Sequence, residues 1–448
     1  MRKVLKVALL AGPLAGLTAC ELDTTNPNAP TQETVVLSAD GLINIGVGVQ
    51  LRLGTSEANF IYGSGLLADE FGPLSTAFET ISDAERGVVL PTAGYVADIW
   101  NSGYRTIKAA NDIIFNHQNV VELLPGMRSG LLSLAYLTKA QAIGTLIQAF
   151  DQVAIDTYDD PQPSLVDRAT ALSFVVELLD SAAVAYADSG TDTHATFNTQ
   201  VKASTLDIPN TIRAYQARYR RMQNDWQGAL DAANAVSRSV FSLIPYSTAV
   251  NNPLFAVTTG SSGIGPLDAF RTSDPAESQR TAFHVTAANV TGRTPRQSPL
   301  DVFARYSDRT APIPAYYPDE VMLIKAEAHL NLTQLTDAVT ALDAVRTDCP
   351  GAGPVTTDPG PCLTPYSGPV TEADIRAEIY RNRRYELFAT GLRWEDLRRL
   401  MPAAASNPLE RCWLPYPAGE RDANPVNIPP PDVPEPSEPS ATPRQCLQ

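Results

Sequence analysis

The segment from Thr371 to Met401 constrains the fold of this chain more than any other stretch. Thr371 is of a type that caps helix N-termini, and apolar side chains follow it at helical spacing. Gly391 can end a first helix, because glycine takes the left-handed C′ conformation at little cost, and Pro402 can end a second one. The segment therefore predicts two consecutive helices, each with one buried face.

Arginines and carboxylates are interspersed along both predicted helices, although the formal net charge of the chain is −15. One interpretation is a solvated helix face with ion pairs between residues three or four apart. The other is that the arginines tie helix ends and loops together inside the domain. Both interpretations are structural rather than catalytic. The residues concerned are Arg383, Arg384, Glu386, Gly391, Arg393 and Asp396.

Earlier segments resemble tetratricopeptide (TPR) hairpins, in which small side chains let two helices approach closely. Residues 209–240 and 319–346 each contain two helical runs with alanines at the facing positions. Helical spacing also predicts helices over 37–60, 96–118, 130–150 and, as a further pair, 169–188. The predicted fold class is mainly α, a right-handed superhelical array of about four TPR-like helix pairs with long irregular loop insertions. The largest insertion spans about 242–317.

The arginine-rich segment resembles the C-terminal signature of the SusD/RagB family. The resemblance rests on Arg383-Arg384-Tyr385-Glu386-Leu387, Gly391, Arg393 and Asp396-Leu397. Members of that family are surface lipoproteins that bind nutrients, often glycans, for a partner outer-membrane transporter. The family usually has a glutamate before the arginine pair and another before the glycine, where this chain has Asn382 and Thr390. The resemblance therefore implies a diverged member that lacks two carboxylate partners of the arginines.

The N-terminus resembles a bacterial lipoprotein signal. Basic residues precede an apolar run of about eleven residues, too short to span a bilayer, which ends in Leu17-Thr18-Ala19-Cys20. Cleavage before Cys20 would leave its thiol free for lipidation; the alternative is an ordinary secretory signal with a chance cysteine. We expect a signal peptide over 1–19, a polar tether over 20–34 and one SusD-like helical domain over 35–448. No later segment is expected to be apolar enough to span a membrane.

The charge balance limits the possible partners. The leader holds three of the 34 basic residues and none of the 49 acidic ones, so its removal takes the formal charge from −15 to −18. Such a surface repels phosphate polymers, which argues against a nucleic-acid partner. The family resemblance implies instead a TonB-dependent, SusC-like transporter and an oligosaccharide or other small nutrient.

Four cysteines remain if Cys20 is lipidated: Cys349, Cys362, Cys412 and Cys446. An even number in an exported chain favours disulfides, and three connectivities are possible. Proximity in sequence favours Cys349–Cys362 across a Pro/Gly loop and Cys412–Cys446 across the proline-rich tail of about 407–448. Neither pair has zinc-ligand spacing, and no histidine is near them. We expect no metal and no cofactor.

No catalytic motif is found in the sequence. The four histidines are scattered, and neither HExxH nor GxSxG occurs. Asp69 and Glu70 are adjacent on a predicted helix and would point in different directions, whereas glycosidase carboxylates straddle one bond, about 5–9.5 Å apart. The sequence thus predicts a binding protein rather than an enzyme.

Two loops carry candidate ligand-binding residues, in each case aromatic rings near an arginine. They are Phe71, Phe78 and Arg86 in an early loop that runs to about Pro91, and Phe270 and Arg271 in the long insertion. The family resemblance implies that ligands meet loops of the first half and the middle of the chain. A rigid helical frame that presents such loops is a common setting for binding groups. The alternative is that the phenylalanines are core residues that anchor long loops.

Two functions are compatible with these features. The family resemblance implies a lipid-anchored protein on the outer membrane, facing the cell exterior, that captures a glycan or other oligomeric nutrient for a TonB-dependent transporter. The alternative is a TPR adaptor lipoprotein that faces the periplasm and binds peptides or assembly partners. The long insertion and the C-terminal signature speak against the adaptor.

Overall fold

A computed structural model describes residues 35–74, 79–84, 88–190, 193–259, 263–293, 298–349, 359–400 and 412–428. The predicted signal peptide and tether, Cys20 and Cys446 lie outside the described residues, and so do Phe78 and Arg86.

Helices account for most of the described chain. They are α1 (Ala39–Leu67), α2 (Glu79–Ala84), α3 (Gly94–Asn116), α4 (Pro125–Ala149), α5 (Arg168–Ala187), α6 (Ala195–Gln200), α7 (Ile208–Met222), α8 (Trp226–Asn234), α9 (Pro253–Thr259), α10 (Asp268–Thr272), α11 (Ser278–His284), α12 (Pro318–Asn331), α13 (Leu335–Arg346), α14 (Glu372–Glu386), α15 (Arg393–Leu400) and α16 (Ala418–Ala423).

Short strands form antiparallel pairs between the helices. They are β1 (Phe71–Pro73), β2 (Gln152–Val153), β3 (Val166–Asp167), β4 (Ser242–Ile244), β5 (Ile264–Pro266), β6 (Val285–Val290), β7 (Leu300–Phe303) and β8 (Ile313–Tyr316). The pairs are β1–β5, β2–β3, β4–β8 and β6–β7. The first of them joins the early loop to the long insertion, with Phe71 opposite Pro266.

The helices pack as an array of pairs, as the sequence predicted. The four pairs are α1 with α3, α4 with α5, α7 with α8 and α12 with α13. Nearly all side chains of α4 are buried, so this helix is surrounded by neighbours on all sides rather than amphipathic. Aspartates cap several helices, as where the Asp207 side chain accepts a hydrogen bond from the Asn210 N–H.

Two sequence predictions about these helices were wrong. Residues 169–188 form the single helix α5, which pairs with α4, rather than a hairpin. Helix α1 continues to Leu67, seven residues beyond its predicted end, despite its glycines. Some of these glycines are close-packing positions, since a Cβ at Gly65 would lie 2.1 Å from the ring of Phe71. Tertiary contact therefore outweighs the low helix propensity of glycine.

The expectation that no later segment is apolar enough to span a membrane was also wrong, when helices are judged by their length and composition alone. Helices α4 and α5 are both long and apolar enough to do so. The apolar window of α4 is 89% buried inside the fold, which is the pattern of a core helix.

The C-terminal segment contains the two predicted helices, with Thr371 capping α14. The first ends at Glu386 rather than at Gly391, because a turn that includes Ala389 at φ 55° intervenes. Gly391 has φ 83°, and a Cβ there would lie 2.7 Å from the ring of Phe60. Glycine is therefore needed at this position for the turn and for contact with α1.

Residues 412–428 pack against α3 and against the C-terminal end of α4. The Leu414 N–H donates to the carbonyl of Ala149, at 2.8 Å. The ring of Tyr416 meets Trp100 edge-on, with centroids 5.6 Å apart, and stacks on Phe150 at 5.9 Å. This part of the tail thereby brings α16 opposite the exposed side of α3.

Candidate functional site

A pocket of about 290 Å³ lies between α3, the connection from α4 to α5, and α16. Its lining combines aromatic, charged and amide side chains. The lining residues are Trp100, Asn101, Tyr104, Arg105, Lys108, Ala154, Thr157, Asp160, Pro163, Leu165, Glu420 and Asn424.

The aromatic part of the lining is held rigidly. Trp100 and Tyr104, one helical turn apart on α3, have ring centroids 4.7 Å apart and inclined by 52°. The Tyr104 hydroxyl accepts a hydrogen bond from the Ala154 N–H at 2.8 Å, which fixes the ring against the connection. Burial raises the pKa of Tyr104, so the phenol stays neutral and can also donate to a hydrogen bond.

The polar part of the lining comes from all three walls. Asn101 and Arg105 are exposed on α3, one turn apart. On the opposite wall the buried Asn424 donates from Nδ2 to the carbonyl of Pro163, at 3.0 Å. Asp160 Oδ1 accepts from the Gln162 N–H at 2.9 Å. Rings on one side and hydrogen-bonding groups around the rim can bind a ligand with apolar faces and polar edges.

This pocket was not predicted from the sequence. The spacing of Trp100 and Tyr104 predicted only a helix. A possible signal was the run of exposed polar residues on the same helix, Asn101, Arg105 and Lys108. Nothing in the sequence, however, indicates that residues near 160 and 420 approach that helix.

The predicted ligand residues Phe71 and Phe270 are 1% and 4% exposed, so the expectation that they are exposed was wrong. Phe270 stacks on Phe388 at 3.9 Å, and Phe71 meets Phe303 edge-on at 5.2 Å. The physical reason is the β1–β5 pair, which draws the two loops together over a shared aromatic core. Both rings anchor loops, which was the alternative interpretation.

Of the remaining ligand candidates, Arg271 is described and does not line the pocket. Arg271 is partly exposed, and its Nε lies 2.7 Å from Asp301 Oδ2. Phe78 and Arg86 lie outside the described residues. In the described parts of the chain, no group of three or more His, Cys, Asp or Glu side chains could hold a metal ion.

The arginine-rich segment forms a buried ion-pair network that is centred on Asp396. The carboxylate lies 2.7 Å from Arg383, 3.3 Å from Arg221 of α7 and 3.3 Å from Arg399. Arg221 also lies 3.6 Å from Glu327 of α12. Burial disfavours the ionised form of Asp396, but the three arginines outweigh it and lower the pKa to about 2.

A second branch of this network connects α15 to the array. Glu395 lies 2.6 Å from Arg168 of α5 and 3.6 Å from Arg398, and Arg398 Nη2 donates to the carbonyl of Gln148 at 2.5 Å. The arginines thus connect helix ends across the fold, and Arg383 and Arg398 are fully buried. These two arginines therefore do not lie on a solvated helix face.

The two positions where the family usually has glutamate hold neutral groups with local partners. Asn382 Oδ1 accepts from Nη2 of Arg280 at 2.9 Å. Arg280 is neutralised instead by Glu277 at 2.7 Å and Glu386 at 3.3 Å. Thr390 donates to the carbonyl of Leu387 at 2.6 Å. Arg280 is thus paired with one acid of the long insertion, Glu277, and one of α14, Glu386.

Cys349 and Cys362 are joined in a disulfide, with Sγ atoms 1.96 Å apart. Cys412 is disulfide-bonded as well. Its predicted partner, Cys446, lies outside the described residues.

Comparison with known proteins shows which family the chain resembles. The model of the SusD family matches residues 303–411, which include the arginine-rich segment. A SusD/RagB family protein from Bacteroides thetaiotaomicron has the same fold, with a TM-score of 0.65 over 86% of this chain and 95% of its own, at 16% identity. NanU of B. fragilis gives a TM-score of 0.65 over 89% and 98% of the two chains, at 14% identity. Residues 303–411 thus match the SusD family, and the fold over most of the chain is that of SusD/RagB proteins.

Another SusD superfamily protein from B. thetaiotaomicron matches with a TM-score of 0.64 over 86% of this chain and 98% of its own, at 17% identity. No curated protein sequence matches the chain. SusD/RagB proteins are nutrient-binding proteins rather than enzymes, and their TPR-like helical architecture is the one described above.

Proposed function

We propose that this SusD-like protein is a lipid-anchored protein of the outer-membrane surface that captures a glycan and passes it to a TonB-dependent, SusC-like transporter. The observation that supports glycan capture is the pocket beside α3, which combines fixed aromatic rings with a rim of charged and amide groups. The match to the SusD family supports the role in nutrient uptake.

The pocket has the chemistry that a sugar ring needs. The faces of a pyranose carry C–H groups that pack on aromatic rings such as Tyr104, while its hydroxyls exchange hydrogen bonds with amides and charged groups such as Asn101 and Arg105. Its volume of about 290 Å³ lies just below the range of about 300–1,000 Å³ for small-molecule sites. We therefore assign it one sugar unit rather than a whole chain.

The walls of the pocket are pre-organised, which reduces the entropy lost on binding. Gln162 Nε2 donates to the carbonyl of Ala423 at 3.0 Å, and Asn427 Nδ2 donates to the carbonyl of Gln162 at 2.7 Å. These bonds fix the connection from α4 to α5 against the C-terminal segment. Capture then needs no large movement of the frame.

The binding role is tested with variants of exposed pocket residues. Asn101→Ala and Arg105→Ala remove rim groups without opening the core, and each should weaken glycan binding about fivefold or more, as expected for a lost hydrogen bond to ligand. Arg52→Ala, which removes an exposed arginine on α1, is the matched control and should bind like the wild type. Binding is measured by calorimetry with the carbohydrate that an oligosaccharide array identifies. Wild-type affinity in both pocket variants would refute this location.

The anchoring role is tested at Cys20. Cys20→Ser should move the protein from the membrane fraction to the soluble fraction and abolish palmitate labelling, because the predicted lipid has no other attachment point. A variant that still sediments with membranes and still labels would contradict the proposal. Protease treatment of intact cells then distinguishes exposure at the cell surface from a periplasmic location.

A further inference from the structure

An aromatic pair is exposed on the surface beside the pocket. Phe115 is 49% exposed and Tyr158 is 36% exposed, and their ring centroids lie 4.3 Å apart at an interplanar angle of 32°. The Tyr158 hydroxyl accepts a hydrogen bond from Nδ2 of Asn116 at 3.2 Å, and Asn116 is buried. The pair is therefore a fixed apolar platform that faces water rather than a mobile surface ring.

The platform belongs to two of the three elements that build the pocket. On α3, Arg105, Lys108 and Phe115 follow one another at helical spacing along one exposed side. In the connection from α4 to α5, the pocket residues Thr157 and Asp160 flank Tyr158. Eleven residues separate Tyr104 from Phe115, which places the platform roughly 16 Å from the pocket along the helix axis.

The surface between pocket and platform is polar. Lys108, whose side chain is 59% exposed, lies 3.3 Å from Asp112 Oδ1, one turn further along α3. Such a strip offers both donors and acceptors to hydroxyl groups. Pocket, polar strip and platform thus form one continuous track in which aromatic contacts are separated by hydrogen-bonding groups.

We propose that Phe115 and Tyr158 form an outer subsite, which binds the apolar face of a sugar ring further along the chain whose end occupies the pocket. This inference rests on the proposed function and extends it, because it assigns the site to an oligosaccharide of several units. A single sugar fills the pocket alone and gains nothing from the platform.

The inference is tested with a length series. The probe is an array of α-glucan, β-glucan, fructan and galactan chains, each from monosaccharide to hexasaccharide, followed by calorimetry with the class that binds. The wild type should bind the hexasaccharide about five- to tenfold more tightly than the disaccharide, as expected for one additional aromatic contact. Phe115→Ala and Tyr158→Ala should remove that gain and leave disaccharide binding unchanged.

Two further variants serve as controls. Tyr158→Phe keeps the ring and should retain the gain, whereas Val184→Ala removes an even more exposed apolar side chain, on α5, and should change nothing. Melting temperatures confirm that each variant is folded. Equal affinity of the wild type for short and long chains, or a full gain in both alanine variants, overturns the outer subsite while the proposed function stands. If no chain of any class binds, the proposed function fails as well.

Discussion

We expect Glu70 to make the stability of this protein depend on pH. It lies between α1 and β1, is 4% exposed, and accepts one hydrogen bond at Oε1, from the Ala389 N–H at 3.3 Å. Its Oε2 has no hydrogen-bond partner among the described residues. Burial raises the pKa of Glu70 from 4.5 to about 8, and the opposing effect of Arg393 is too weak to prevent it.

The size and sign of the effect follow from linkage. The folded state holds this proton more tightly than the unfolded chain, so the stabilisation is complete below about pH 4.5 and is lost as the pH rises to about 8. The difference in pKa corresponds to roughly 5 kcal/mol in the free energy of unfolding. Glu70→Gln, which resembles the protonated acid, should match the wild type near pH 4.5 and exceed its stability progressively up to about pH 8.

Urea unfolding, followed by far-UV circular dichroism at several pH values from 4.5 to 9, measures this difference. Comparing variant with wild type cancels contributions that both share, such as that of the buried His284, whose pKa burial lowers. Glu177→Gln, at an exposed position on α5, is the control and should give a constant difference near zero. If Glu70→Gln and the wild type differ in free energy of unfolding by the same amount at every pH in this range, that would falsify the assignment of a neutral, buried carboxyl.

Three other predictions concern the framework. Asp396→Asn should lower the free energy of unfolding by about 3–5 kcal/mol, because it removes the carboxylate that the buried Arg383 and Arg221 share with Arg399. Breaking the exposed Arg376–Glu372 pair should cost about 0–1 kcal/mol, and denaturant titration compares the two variants. Phe270→Ala should cost about 3–5 kcal/mol of stability and leave ligand affinity unchanged in calorimetry, and weakened binding with normal stability would contradict its place in the core. Reducing Cys349–Cys362 should cost about 3 kcal/mol, given its sequence separation of 13, and non-reducing peptide mapping should recover this pair rather than a crossed one.

The residues of the arginine network are different from those that line the proposed binding site. Its centre at Asp396 joins α7, α12, α14 and α15, and none of its residues lines the pocket beside α3. The residues that carry the family resemblance therefore stabilise the fold, while the proposed ligand contacts come from parts of the chain that the family model does not match. The resemblance to the family thus says little about which nutrient the proposed site would bind.

The sequence by itself determined two of the helix pairs and the resemblance to the SusD/RagB family. Helical spacing and facing alanines are local patterns, so they predicted the pairs over 209–240 and 319–346. The run around Arg383 was sufficient to recognise the family, because it depends on residue identities rather than on contacts. The same local patterns failed for α1, where glycines lie inside a long helix that packs closely against its neighbours.

Only the tertiary structure decided which residues are buried and which meet in a site. Phe71 and Phe270 lie in loops that look exposed in the sequence, yet the β1–β5 pair joins those loops and closes a core around both rings. The pocket brings together residues near 100, 160 and 420, and the platform joins Phe115 to Tyr158. These contacts link residues that are far apart in the chain, and no local pattern of spacing or composition encodes them.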